Sequence, residues 1–224
     1  MMPLNKSKGN MYPFVTHTWN TVKGKCPHDC SYCYMKRFGE QKPIRFTPGE
    51  LKTDLGKDNF IFVGSSCDMW ADEIPEEWIL DTLKICDRFP NRYLFQSKNP
   101  MKMFKMRWAL TFFDSIFGTT IETNRHYKQM GKAPCVQDRA TFLHFMSNKC
   151  FKTMVTIEPI MDFDPVELWN LVCICNPEWV NIGADSQNSG LPEPDADKIN
   201  ELIKNLRDGG IKVKIKDNLK RLTG

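Results

Sequence analysis

Seven short apolar or β-branched runs recur along this chain, at residues 14–19, 60–63, 93–97, 116–121, 153–157, 179–183 and 211–215. Each is followed by a polar loop and then by a stretch with helical signals. Short runs of this kind separated by helical patterns read as parallel strands joined by crossovers. Thr47-Pro48-Gly49-Glu50 has the form of an N-cap, a proline at the first helical position and a capping-box glutamate. Pro75 precedes the acidic first turn Glu76-Glu77, Asp138 and Asp164-Pro165 open two further helical patterns, and an amphipathic stretch from Asp195 through Arg207 stops at Gly209-Gly210. The expected architecture is α/β: a partial (β/α)6-7 TIM-like barrel with a mostly parallel sheet, built as one domain over residues 1–224. A complete eightfold barrel usually needs about 250 residues. In such folds ligands sit at the carboxyl ends of the strands, so the polar residues that follow each strand converge on one rim.

Composition narrows the class. A hydrophobic content of 41% with 12% aromatics supports a substantial core. With no secretory apolar segment and no run of about 18 apolar residues, the chain is expected to be soluble and cytoplasmic. Nine cysteines in a chain of this kind point to reduced thiols and metal rather than disulfides. The net charge of +4 permits nucleic acid as a ligand without demanding it.

Three of those cysteines lie in eight residues, Cys26-Pro27-His28-Asp29-Cys30-Ser31-Tyr32-Cys33, immediately after the first strand. Clustered thiolates grip iron or zinc, yet one ligand of a closed four-ligand site is missing. A [4Fe–4S] cluster held by three cysteines leaves one iron open to a small molecule. The alternative is a structural zinc site completed by His28 or another cysteine. Most of the other six cysteines, Cys67 among them, read as small buried hydrophobes.

The remaining strand ends carry the other candidates. Ser65 and Ser66 follow the second strand, where they either accept from an ammonium or simply cap the turn. Asp68 and Trp70 offer a carboxylate for N–H groups and an indole to cover a flat heterocycle. Lys98 follows the third strand, and Glu122, Asn124 and Arg125 follow the fourth, where the bland reading is a salt bridge at a helix start. Glu158 ends an otherwise apolar fifth strand and must be paired or face a polar pocket. Asp185 and Lys216 end the sixth and seventh. Met101, Met103 and Met106 read as helix packing.

The spacing Cys26-x3-Cys30-x2-Cys33, with Tyr32 before the last cysteine and a β/α array behind it, resembles the signature of the radical S-adenosylmethionine (SAM) superfamily. The resemblance implies a [4Fe–4S] cluster on the three cysteines and SAM bound to the unique iron through its amino and carboxylate groups. It also implies a one-electron donor such as flavodoxin or ferredoxin. Tyr32 would then lie against the adenine, Ser65 and Ser66 would meet the methionyl ammonium, and Lys98 would neutralise a carboxylate. Glu122 or Asn124 would take the ribose hydroxyls, with Arg125 near the carboxylate. Asp68, Trp70, Glu158, Asp185 and Lys216 would face substrate.

Gly-Ser-Ser-x-Asp, Thr-Ile-Glu-Thr-Asn and Ile-Glu-Pro further resemble the small branch related to spore photoproduct lyase and certain phage-encoded proteins. Within it the expected substrate is a small modified nucleobase. Queuine lyase, releasing 7-aminomethyl-7-deazaguanine from queuine, is the specific expectation. The alternatives are a DNA-photoproduct repair lyase and a non-enzymatic zinc-binding module. The repair lyase would use a basic surface made of Lys102, Lys105 and Arg107 with Lys212, Lys214, Lys216, Lys220 and Arg221.

Overall fold

The computed structural model describes residues 4–110 and 114–224. Its strands are β1 (Asn5–Lys6), β2 (His17–Trp19), β3 (Val22–Lys23), β4 (Arg45–Phe46), β5 (Phe60–Val63), β6 (Arg92–Gln96), β7 (Ser115–Thr120), β8 (Lys152–Ile157), β9 (Trp179–Ile182) and β10 (Val213–Ile215). Eight of them form one sheet in the order β1-β2-β5-β6-β7-β8-β9-β10. From β2 to β10 every pairing is parallel, and only β1 runs antiparallel on its edge. Neighbours in the sheet are neighbours in sequence, which is the expected partial barrel with seven parallel strands.

Helices α1 (Glu76–Cys86), α2 (Pro100–Lys105), α3 (Val136–Ser147), α4 (Pro165–Cys175) and α5 (Ala196–Asp208) fill the crossovers after β5, and α6 (Lys220–Thr223) follows β10. Asp195 caps α5 by accepting from the Lys198 amide at 2.8 Å. One other helix start departs from expectation, and a second, at Asp164-Pro165, keeps its place without a side-chain cap. The cap of α3 is Cys135, whose sulfur accepts from the Asp138 amide, so that helix begins at Val136. Asp164 precedes α4 but spends its carboxylate on Asn124 and Arg125.

The first crossover holds no α-helix. Thr47-Pro48-Gly49-Glu50 opens only a 3-10 turn, Pro48–Lys52, with no side-chain cap. Gly39, Pro43, Pro48 and Gly49 within a dozen residues make helix propagation costly there. That stretch instead carries the cysteine loop, a 3-10 turn over Tyr34–Phe38 and the β3–β4 ribbon.

Strand alternation sorts the apolar residues into layers. Ile61, Val63, Tyr93, Phe95 and Phe117 pack with α1 and α2 on the outer face, and Val155 and Val180 pack with α3, α4 and α5. Their strand neighbours Phe60, Phe62, Leu94, Ile116, Met154 and Trp179 point to the concave face, where Met11, Tyr12, Phe14 and Val15 fill the interior. Two or more residues further along the same face, the side chains turn polar: Gln96, Thr120, Thr156 and Asn181. The concave face is therefore apolar at the start of the strands and polar at their ends. Among the described residues no helix is long and apolar enough to cross a membrane.

Candidate active site

The polar end of the concave face opens into a cavity of about 950 Å³. That is near the upper end of the usual ~300–1,000 Å³ for small-molecule sites. The lining includes Cys26, Cys30, Tyr32 and Cys33 from the loop after β2, Ser65, Ser66, Cys67 and Asp68 after β5, and Gln96 and Lys98 at the end of β6. Thr120, Glu158, Asp185 and Lys216 line it from β7 to β10.

The cysteine loop is held from two directions. On one side His28 is buried, with Nε2 2.8 Å from Asp68 Oδ2. Asp68 also accepts from Ser97 Oγ (2.9 Å), the Lys98 amide (2.9 Å) and the Trp70 amide (3.0 Å). Burial alone would raise the Asp68 carboxyl, but His28 and these amides hold it below the usual carboxylate range. With four donors already on its oxygens, Asp68 clamps the loop to the ends of β5 and β6 rather than offering itself to substrate. Trp70 is fully buried, edge-on to Phe95, and does not line the cavity. The turn that binds its amide to Asp68 directs the indole into the core, which corrects its assignment to substrate.

On the other side the loop docks on residues 129–132. The Ser31 amide donates to Gln129 O (2.8 Å), the Lys132 amide to His28 O (2.7 Å) and the Cys30 thiol to Met130 O (3.3 Å). Gly131, at φ +66°, makes this approach possible, because an added Cβ would overlap the His28 carbonyl. Gly131→Ala is expected to destabilise the protein by more than ~1 kcal/mol, since both the backbone region and the space disfavour a side chain. Urea unfolding checks this, and a midpoint equal to that of the parent would contradict the docking argument.

The three loop cysteines are free thiols, as are the other six. Cys67 lies beside Cys26 and is the main cause that brings the Cys26 thiol below its ordinary value. Burial pushes Cys33 up. Cys67 is thus buried as its sequence context suggests, but it also touches the loop. Among the described residues no three His, Cys, Asp or Glu side chains converge closely enough to hold a single metal ion. Cys26, Cys30 and Cys33 all line the one cavity, and three soft thiolates are a donor set of the kind that holds an iron–sulfur cluster.

Lys98 Nζ donates to Cys30 Sγ at 3.2 Å and to the Tyr32 hydroxyl, and it pairs with Glu122 Oε1 at 2.7 Å. The Tyr32 hydroxyl donates to Glu122, whose other oxygen meets Arg139 Nη1 at 2.8 Å. Burial would raise the Glu122 carboxyl, but the Arg139 and Lys98 charges outweigh it and bring the group down to about 2. Glu122 is 0% exposed and does not line the cavity. Its oxygens are occupied by this network, which corrects its assignment to ribose. Asn124 and Arg125 also lie off the cavity. Both bind Asp164, and Arg125 also pairs with Asp162, so the helix-start salt bridge describes them.

Opposite the cysteines, Glu158 accepts from Lys216 Nζ (2.8 Å), Asn10 Nδ2 (2.9 Å) and Asn218 Nδ2 (3.0 Å). Tyr12 donates to Gln96 Oε1 at 2.9 Å beside them. Asp185 is buried and accepts from the Gln187 amide at 2.8 Å and from the Ser189 amide. Asn20 binds the Ser65-Ser66 turn through Ser66 N (2.9 Å) and Ser65 Oγ (3.3 Å). Asn10, Tyr12, Asn20 and Gln96 were not legible as site residues. Asn10 follows no run that reads as a strand in the sequence, and Gln96 is placed only by strand parity.

The basic surface expected for duplex DNA is not continuous. Lys102 is buried and donates to the carbonyls of Ala71, Asp72 and Ile74. Lys214 lies over Trp179 and Phe14, Lys216 faces the cavity, Lys220 pairs with Asp217 and Arg221 with Glu193. These positions belong to α2 on one side and to β10 and α6 at the sheet edge.

No protein-family model and no curated protein matches the chain significantly. Solved structures do. A spore photoproduct lyase variant with bound AdoMet and dinucleoside spore photoproduct aligns at a TM-score of 0.64 and 9% identity, over 92% of this chain and 78% of that one. Spore photoproduct lyase complexed with dinucleoside spore photoproduct aligns at a TM-score of 0.63 and 9% identity, over 93% and 79%. At that identity the similarity speaks for architecture, and this chain has the partial β/α-barrel fold of spore photoproduct lyase.

Proposed function

We propose that this protein is a radical SAM lyase that fragments a small modified nucleobase, with Cys26, Cys30 and Cys33 as the ligands of a [4Fe–4S] cluster. The observation that carries the reading is that three free thiols of one loop open on a single cavity with an acidic and amide-rich pole opposite them. When bound and reduced, the cluster supplies the electron that cleaves SAM to a 5′-deoxyadenosyl radical.

The protein's own groups have definable tasks. Asp68 and His28 hold the loop, and Lys98 delivers an N–H to Cys30 and would offer its charge to a cofactor carboxylate. Ser65 and Ser66 offer hydroxyls to an ammonium. Tyr32, fixed by the buried network behind it, would form the wall that an adenine meets. Glu158, Asp185 and Lys216 present two acceptors and a donor to substrate, which suits a guanine-like edge and a secondary ammonium. Such a radical reaction requires that competing hydrogen donors be kept from the site. The substrate we favour is queuine, split to 7-aminomethyl-7-deazaguanine, in a reducing cytoplasmic setting with flavodoxin or ferredoxin as electron donor.

A repair lyase acting on DNA is the second reading, supported by the dinucleoside bound to the structural relatives. Anaerobic reconstitution followed by reductive SAM cleavage against a panel of 7-deazapurines, nucleosides and photodamaged DNA separates the two. The expected result is ~4 iron per chain and 5′-deoxyadenosine formation stimulated most by queuine. Stimulation by photodamaged DNA alone would replace the substrate. Stoichiometric zinc without iron uptake would overturn the class.

A further inference from the structure

Residues 8–11 cross the mouth of the cavity as a strap. Lys8, Gly9 and Asn10 are exposed, and nothing lies within 4 Å of a Cβ built on Gly9. Asn10 nevertheless reaches down to the Glu158–Lys216 pair. Its Nδ2 donates to Glu158 Oε1 at 2.9 Å and to Ser186 Oγ at 2.8 Å, while its main-chain carbonyl accepts from Lys216 Nζ at 2.6 Å. One residue thus shows the pair an N–H donor and a C=O acceptor side by side.

Beneath the strap the floor is fixed. Lys216 binds Glu158 Oε2 at 2.8 Å, with both side chains largely buried. Asn218 ties Glu158 to the Ala184 carbonyl through bonds of 3.0 and 2.7 Å. A Cβ on Gly183 would come 2.8 Å from the Glu158 carboxyl, so the absence of a side chain there leaves room for the pair. Charged groups held in this way read a ligand edge with strong, directional hydrogen bonds.

We infer that Asn10 occupies the place of a substrate lactam edge, an N–H beside a C=O as on N1 and O6 of a guanine-type ring, and that substrate binds by displacing the strap from Glu158 and Lys216. This rests on the proposed assignment of that pole to substrate. The carboxylate then accepts the ring N–H and the ammonium donates to the ring carbonyl. An adenine-type edge reverses the pattern, setting a lone pair against the carboxylate and an amine against the ammonium. The strap is a competitor built into the chain, and the pair behind it selects the edge.

Calorimetric titration of the full-length protein without reductant tests this independently of radical chemistry. The probes are 7-aminomethyl-7-deazaguanine and adenine. The first should bind Asn10→Ala roughly fivefold to tenfold tighter than the parent, the gain expected when about one competing hydrogen-bonded contact is removed. Adenine should bind at least about tenfold more weakly to both proteins, and Glu158→Gln and Lys216→Met should each lose that preference. Unchanged or weaker binding to Asn10→Ala, or equal binding of the two probes to the parent, overturns the inference. No binding by a protein that cleaves SAM in response to another compound also overturns it while leaving the radical reading intact. Binding as expected by a protein that takes up no iron supports the edge and overturns the radical reading alone.

Discussion

Glu122→Gln is expected to cost the protein about 3–5 kcal/mol of stability, the usual penalty for removing one partner of a buried ion pair. Arg139 is 0% exposed, and among the described residues its guanidinium has only Glu122 as a carboxylate partner beside the carbonyls of Pro134 and Thr120. Lys98 adds a second ammonium to the same carboxylate. Without that negative charge two cations remain in a poorly solvated space. For a chain of this size the loss corresponds to a fall in thermal midpoint on the order of 10 °C. Glu122→Leu combined with Arg139→Met should recover only the part due to Arg139, because the Lys98 ammonium still faces the vacated position.

The pH dependence has a definite sign. The Glu122 carboxyl is held at about 2 in the fold against an ordinary value of 4.5. Its contribution is therefore complete above about 4.5 and is lost as pH falls from there toward about 2. Parent and Glu122→Gln should differ most near neutrality and converge in acid. A difference below ~1 kcal/mol at pH 7 in urea unfolding would refute the account of the network.

Cys30→Ala is expected to have the largest functional effect. On the proposed reading it removes one of three ligands, so reconstituted protein should fall from ~4 iron per chain to near none, with loss of reductive SAM cleavage. Cys67→Ala is the informative companion. Cys67 touches Cys26 and lies on the same cavity, yet it belongs to the turn after β5 and not to the loop. That variant should keep its iron, with a raised Cys26 thiol in the metal-free protein. If Cys67→Ala loses iron as completely as Cys30→Ala, the ligand set is wrong.

Architecture was legible because it rests on local information. Each parallel strand announces itself as a short apolar run, and the sheet takes them in sequence order. The rim positions Ser65, Ser66, Lys98, Glu158, Asp185 and Lys216 were legible for the same reason, as residues at strand ends. The misassigned positions share a cause, which is a partner distant in sequence. Glu122 looks available until Arg139 arrives from α3 and Lys98 from the adjoining strand. Asn124 and Arg125 look like ligand groups until Asp162 and Asp164 come from the segment after β8. Trp70 sits two residues from Asp68, and only the turn around that carboxylate decides which way the indole points. No local pattern encodes these encounters.

The stretch that fills the concave interior with Tyr12, Phe14 and Val15 is continuous with the strap above it. β1 pairs with β2, the Ser7 amide donates to Thr16 O at 2.9 Å, and the Val15 amide donates to Tyr12 O at 2.9 Å. In polymer terms, residues 8–11 are a short loop with both ends fastened, not a tail free at one end. The entropy released when such a loop opens is limited by its length and its fixed ends. Detaching Asn10 therefore leaves the strap hovering over the mouth at high local concentration, ready to rebind when the pair is free. The interior packing that completes the barrel also sets how far the strap can travel.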